Sequence, residues 1–186
     1  MTEAGPSTPS GLGNLTWQPA LAAPDLLAEP VRRLLQSETI DPDQVFVTAI
    51  DPDLADTAEF CVAFDSPLDR SANCVVVTGR RGEVSKTAAC LVLATDKADV
   101  NKTVRKRLDV RKLSFAAMDD AVARTGMEYG GITPVGLPAD WPVLVDTAVT
   151  GKDWVVIGSG IRGSKLAIPG ELAGRLPGAE VLDLTI

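Results

Sequence analysis

The 186-residue chain contains no histidine, and this absence excludes more chemistry than any other feature of its composition. Without imidazole there is no Ser-His-Asp or Cys-His nucleophile system, no His-ligated zinc and no histidine acid–base relay. Catalysis is left to carboxylates, lysine, hydroxyls, backbone amides or the substrate itself. Cysteine is also scarce. Cys61, Cys74 and Cys90 are odd in number, widely spaced and without a C-x-x-C pair, which argues against a zinc ribbon or disulfide framework and suits a reducing cytoplasm. No apolar run approaches the ~20 residues of a membrane helix. The opening Met1-Thr2-Glu3-Ala4-Gly5-Pro6 has neither the basic nor the apolar region of a secretory leader. The expectation is a soluble cytoplasmic protein with no membrane partner.

What is present suits one globular domain: 45% of residues are hydrophobic and 23% charged. A chain of this length buries roughly 70% of its extended surface on folding, so neither disulfide nor metal is needed to hold it together. The net charge of −7 disfavours tight non-specific binding to a polyanion. The charge is uneven, however: Lys102, Arg105, Lys106, Arg107, Arg111 and Lys112 lie together with a single acid, Asp109. Such a patch either seats a short piece of nucleic acid or is a solvated helix face.

Residues 1–23, rich in Pro, Gly, Ser and Thr, read as a flexible or draped N-terminal tail, and residues 24–186 as a single domain. Apolar patterning predicts a helix around 30–35, a strand at 45–50, and a short helix to residue 64 opened by an Asp56/Glu59 capping box. A hairpin is predicted from strands at 74–78 and 88–95 around a turn at 79–83. A helix capped by Asp99 follows, placing Lys102, Arg105 and Lys106 on one side. Then come a strand at 111–115, a helix at 118–125 stopped by Gly126, strands at 143–145, 154–157 and 181–184, and a helix within 169–176. This interleaving lacks a regular βαβ cadence, so the fold class is α/β with a mixed sheet.

Two glycine clusters are the candidate ligand loops. Gly130, Gly131 and Gly136 stand with Thr133, Pro134 and Pro138 in a loop of fixed shape whose amides can approach a ligand closely. That loop is neither G-x-x-x-x-G-K-[ST] nor G-x-G-x-x-G, and so does not itself support nucleotide hydrolysis or dinucleotide binding. The second cluster, with Gly158, Ser159, Gly160 and Arg162, follows an apolar run; a strand ending in a glycine loop is a common place for a pocket or for a turn. Asp146, ending the run Val143-Leu144-Val145, is placed to anchor a ligand ammonium group or to cap the next turn.

The run Gly130-Gly131-Ile132-Thr133-Pro134-Val135-Gly136, followed by Pro142-Val143-Leu144-Val145-Asp146, resembles the glycine-loop and strand motifs of the YbaK/ProX-type aminoacyl-tRNA deacylases. The resemblance extends over residues 28–184. It implies a curved, partly barrel-like mixed β-sheet flanked by helices, as in the editing domain associated with prolyl-tRNA synthetase. The implied activity is deacylation of a mischarged tRNA, of the Cys-tRNA(Pro) or Ala-tRNA(Pro) kind, with no cofactor, no metal and no protein nucleophile. By the same resemblance Gly130, Gly131, Thr133, Pro134 and Asp146 are catalytic, while Gly136, Gly158, Ser159, Gly160 and Arg162 bind substrate. Lys102, Arg105 and Lys106 would touch the tRNA acceptor end. The implied partners are aminoacyl-tRNA and an aminoacyl-tRNA synthetase, with the protein a monomer or homodimer.

One position departs from the family pattern. In the register Ala72-Asn73-Cys74-Val75, Asn73 stands where the family has a catalytic lysine; a shifted register would use Lys86. Asn73 is the preferred catalytic candidate, since Lys86 precedes the second hairpin strand; Asn donates a hydrogen bond but no charge. A non-catalytic binding module of the same fold, recognising an aminoacyl-tRNA end or aminoacyl ligand, is therefore the alternative.

Overall fold

The β-branched run at 74–78 and the apolar run at 88–95 do zip into a long antiparallel hairpin. The computed structural model describes residues 7–186. Its strands are β1 (Gln18–Pro19), β2 (Phe46–Ala49), β3 (Ala72–Arg81), β4 (Val84–Leu93), β5 (Lys112–Phe115), β6 (Val143–Asp146), β7 (Val155–Gly158), β8 (Ser164–Ile168) and β9 (Ala179–Leu182). The helices are α1 (Glu29–Gln36), α2 (Thr57–Phe64), α3 (Arg105–Leu108), α4 (Met118–Thr125), α5 (Thr147–Thr150) and α6 (Gly170–Ala173). No helix among the described residues is long and apolar enough to cross a membrane.

The fold is mixed α/β, and its strands form two open sheets. The first, β1-β2-β8-β7, is antiparallel throughout. In the second, β5-β3-β4-β6-β9, β3 is antiparallel to β4 and β5, whereas β4 with β6 and β6 with β9 run parallel. A single parallel bridge, Ser71 with Val156, joins the two sheets. The hairpin turn is tighter than its glycine-and-arginine run implies: Arg81 still pairs with Val84, leaving Gly82 and Glu83 as a two-residue turn.

The largest core cluster draws on both sheets. Val31 and Leu35 of α1 pack with Val47, Leu91, Val145, Ile157, Leu166 and Ile168. Each fully buried aliphatic side chain contributes about 1.5–3 kcal/mol. A second cluster on the other face of the hairpin joins Val77, Cys90 and Val92 to Val104, Leu108 and Leu144. The alternation along β3 and β4 divides their side chains between these two clusters.

Residues 7–23 lie against the domain. Leu12 is buried, the Asn14 amide donates to the Phe64 carbonyl at 2.7 Å, and Gln18 and Pro19 pair with Val47 and Phe46. Residues 1–6, where the tail begins, lie outside the described residues.

Two local expectations change. The Asp56/Glu59 capping box is not made: Asp56 sits at the N-cap of α2, but its carboxylate caps no amide and instead stands 3.7 Å from the Arg162 guanidinium. Strand β8 occupies residues read only as the interval between a glycine loop and a helix. Asp99 does cap a helical segment, the π-helical turn Val100–Val104 that runs directly into α3, accepting from the Lys102 and Thr103 amides at 3.2 Å each. Its carboxyl is held below the usual range chiefly by the Thr103 hydroxyl.

Candidate functional site

Strand β3 is partnered unequally along its length. On one side it pairs with β4 from Ala72 to Arg81; on the other, β5 covers only Val77 to Arg80. Below that, the next strand pairing is the Ser71–Val156 bridge to the other sheet. The intervening edge opens onto a cavity of about 610 Å³, and residues 72–76 all line it. The Val76 carbonyl on this edge accepts from the Ala116 amide at 2.9 Å; the backbone groups left unpartnered are free to bind a ligand.

Three of the residues singled out by sequence meet here. Asn73 from β3, Gly130 from the first glycine loop and Gly158 from the end of β7 line the cavity together. The Thr57 hydroxyl donates to Asn73 Oδ1 at 2.6 Å. This bond fixes the amide orientation and leaves the Asn73 NH2 as its remaining donor group.

The other glycine-loop residues build the wall from behind. The Gly160 amide donates to the Gly131 carbonyl at 2.7 Å, and the Glu128 amide to the Gly160 carbonyl at 2.8 Å. The two loops touch backbone to backbone. A Cβ on Gly131 would lie 2.7 Å from the Ile161 carbonyl carbon, and one on Gly158 would lie 2.5 Å from the Gly131 carbonyl oxygen. Only glycine permits that approach. Ser159 is buried, its hydroxyl oxygen 3.1 Å from both the Ile161 and the Ser164 carbonyl oxygens, which share its single proton as acceptors. Arg162 braces the assembly: its amide donates to Glu128 Oε2 at 2.7 Å, its Nε to the Pro52 carbonyl at 3.2 Å and its Nη1 to the Tyr129 carbonyl at 3.4 Å.

Other expected site residues lie elsewhere. Thr133 is fully buried, and its hydroxyl has no hydrogen-bond partner among the described residues. Pro134 is buried beside it. Gly136 lines a separate concavity with Pro30, Leu34, Arg124 and Leu137. Of the two roles open to Asp146, the structure displays the capping one. The side chain is 2% exposed and accepts from the Ala148 amide at 3.0 Å and the Leu184 amide at 2.8 Å. It is not among the residues lining the cavity. Lys86, the lysine of the alternative register, is also remote from the cavity and donates to the Leu108 carbonyl at 2.8 Å.

Lys102, Arg105 and Lys106 are exposed and line a shallow concavity with Asp109 and Val110. None of the three is ion-paired among the described residues, whereas Arg107 is, with Glu180. Arg105 also borders an adjoining hollow with Arg80, Arg111 and Lys112, so the two basic concavities share this residue.

Two cavity residues escape sequence reasoning. Cys74 is the cavity's only thiol; burial, with a smaller contribution from Cys90, pushes it far above the ordinary thiol range. It stays protonated at neutral pH and is a poor nucleophile. Lys165, on β8, is 7% exposed and also lines the cavity. Its ammonium donates to the Ala55 carbonyl at 2.7 Å and stands 5.3 Å from the Phe60 ring centroid. Burial brings its pKa down to about 8, with Arg162 acting in the same direction and Cys61 and Asp56 opposing. The only available signal was a lysine directly before the apolar run Leu166-Ala167-Ile168.

The glycine spacing at 158–163 is G-x-G-x-x-G. It follows β7 but leads into β8, so the helix N-terminus that receives a dinucleotide's pyrophosphate is missing.

Fold and cavity together define a mixed α/β domain with a ligand-sized recess at the seam of two sheets. The family model for the aminoacyl-tRNA editing domain matches residues 51–174, more than half of the chain, and the chain belongs to that family. Among solved structures it is similar to "a putative trans-editing enzyme for prolyl tRNA synthetase" at 22% identity and TM-score 0.71, covering 86% of this chain and 99% of that one. It is also similar to a hypothetical protein at 17% identity and TM-score 0.73, covering 85% and 100%. Both likenesses are of fold.

Proposed function

We propose that the protein hydrolyses the ester of a mischarged aminoacyl-tRNA in this cavity, with a Cys-tRNA(Pro)- or Ala-tRNA(Pro)-like substrate. The observation that carries the reading is the convergence of Asn73, Gly130 and Gly158 on one recess bordered by the free edge of β3. An aminoacyl ester is already activated, so orientation and fixed dipoles can supply much of the catalysis. The Asn73 NH2 and the free β3 edge are donors suited to a carbonyl oxygen, and a ribose hydroxyl or substrate thiol held nearby would assist. The protonated state of Cys74 favours direct attack by water over an acyl-enzyme. In this reading the basic surface of Lys102, Arg105 and Lys106 takes the tRNA acceptor end, and the domain acts in the cytoplasm as a monomer or homodimer.

A binding module without turnover is the second reading. It is favoured by the neutral side chain at position 73, whose carbonyl is already engaged by Thr57. A deacylation panel of the purified protein against several mischarged tRNAs, Cys-tRNA(Pro) and Ala-tRNA(Pro) included, separates the two. Hydrolysis of any member supports the enzyme; binding without hydrolysis across the panel supports the module.

A further inference from the structure

Lys165 is a poor choice for stability where it stands. The residues after it on β8, Leu166, Ala167 and Ile168, are fully buried, and β8 is a central strand of its sheet. An ammonium withdrawn from water costs several kcal/mol unless it is paired, yet no carboxylate lies within 4 Å of Lys165 among the described residues. A threonine or leucine would satisfy the strand better. The ammonium has three N–H donors. One goes to the Ala55 carbonyl, and the Phe60 ring lies beside the group. No hydrogen-bond partner among the described residues takes up the remaining donors. Among the described residues the side chain is the only lysine or arginine lining the cavity, and the one lining carboxylate, Asp56, is turned toward Arg162.

We propose that Lys165 binds the negative charge of the substrate in this cavity. The group is either the oxyanion that develops on the ester carbonyl or the phosphodiester 5′ to the terminal nucleoside. In the first case, water adds to the carbonyl carbon and the C=O π pair moves onto oxygen beside the ammonium. Collapse then expels the ribosyl oxygen, which leaves with a proton that came from the water. The products are the free amino acid and the tRNA hydroxyl, and no other reactant is consumed. A preorganised donor shielded from bulk water, as Lys165 is at 7% exposure, is worth more than the same donor in bulk solvent. The proposal rests on the editing reading and gives that reading its missing cation.

The test uses Lys165→Met and Lys165→Arg, each checked for folding by thermal melting, with Lys165→Gln as the second neutral variant should the methionine form not fold. Deacylation of a mischarged tRNA cleaved by the wild type is measured, together with competition by adenosine 5′-monophosphate and by adenosine. The neutral variant is expected to lose on the order of a hundredfold in kcat/KM, and Lys165→Arg to recover part of it. An ammonium acting on the oxyanion puts the loss in kcat and leaves both competitors unchanged. An ammonium acting on the phosphodiester puts it in KM and abolishes the advantage of the monophosphate over adenosine. A folded neutral variant with wild-type kcat and KM overturns the role of Lys165 while leaving the editing reading intact. A wild type that neither cleaves nor binds any mischarged tRNA overturns the editing reading, and this proposal with it.

Discussion

Asn73 and Lys165 reach the same cavity from different sheets and are tethered to one short segment of chain. Lys165 donates to the Ala55 carbonyl, and two residues later the Thr57 hydroxyl donates to Asn73. The start of α2 thus sets the separation of a neutral donor and a cation that have no strand pairing in common.

If Asn73 presents its NH2 to the substrate, Asn73→Ala should lower deacylation by about fivefold to tenfold, the worth of one neutral hydrogen bond. Thr57→Val should produce part of the same loss by freeing the amide to rotate. The double variant Thr57→Val/Asn73→Ala should then be no worse than Asn73→Ala alone. Additive losses in single-turnover assays would mean that Thr57 does not act through Asn73.

The lowered pKa of Lys165 makes a prediction about stability. Its folded pKa of about 8 lies below the ordinary lysine value. Between about pH 8 and about 10.5 the unfolded chain therefore binds more protons, and the wild type gains stability from this group as pH rises. Lys165→Met lacks that gain. Relative to wild type, the variant should lose about 3 kcal/mol between pH 7 and pH 10.5, read by denaturant unfolding at a series of pH values. A difference that stays constant with pH would show an ordinary, solvated lysine.

Gly131→Ala should be disproportionately harmful for a one-methyl change. The new Cβ would meet the Ile161 backbone, which has no flexible end to move aside. A loss of about 1–3 kcal/mol is expected, together with reduced deacylation. Wild-type melting and activity would show that the two loops can separate without consequence.

Replacing Lys102, Arg105 and Lys106 together by alanine should weaken tRNA binding and flatten its salt dependence, by about one unit of log–log slope for each phosphate that is no longer neutralised. Retention of the wild-type slope would make this surface a solvated face.

Asp146→Ala should be primarily a stability variant. It strips two buried backbone amides, those of Ala148 and Leu184, of their acceptor, at a cost of about 1–3 kcal/mol per unsatisfied group. A melting temperature within a degree of wild type would remove this structural assignment.

The legible parts of the fold were those written in local pattern. The β-branched stretch of β3 and the apolar stretch of β4 announce a hairpin, and Gly126 does stop α4 in a left-handed conformation. The cavity was legible only at its glycines and at Asn73, because it exists through a pairing that fails: β5 is too short to cover β3. No local pattern reports a missing neighbour. Lys165 was hidden for the converse reason. In Ser164-Lys165-Leu166-Ala167-Ile168 a lysine beside a serine carries no mark of burial, yet all five residues are buried. Asp146 was open between two roles, and its second amide partner, Leu184, comes from a segment too far along the chain to be anticipated.

The order in which the sheets draw on the chain constrains how the protein is made. Strand β2 pairs only with β1 and β8, and β8 is not synthesised until residues 50–163 have followed β2. A nascent chain can form the β3–β4 hairpin early, but the wall carrying Lys165 closes only after β8 has followed, across a long loop whose closure entropy must then be met. Until that moment β2 has one unpaired edge, and the recess between the sheets lacks the Lys165 ammonium. Strand β2 therefore waits for β8 across the whole interval from residue 50 to residue 163, and the sheet that carries Lys165 is complete only once that long-range pairing has formed.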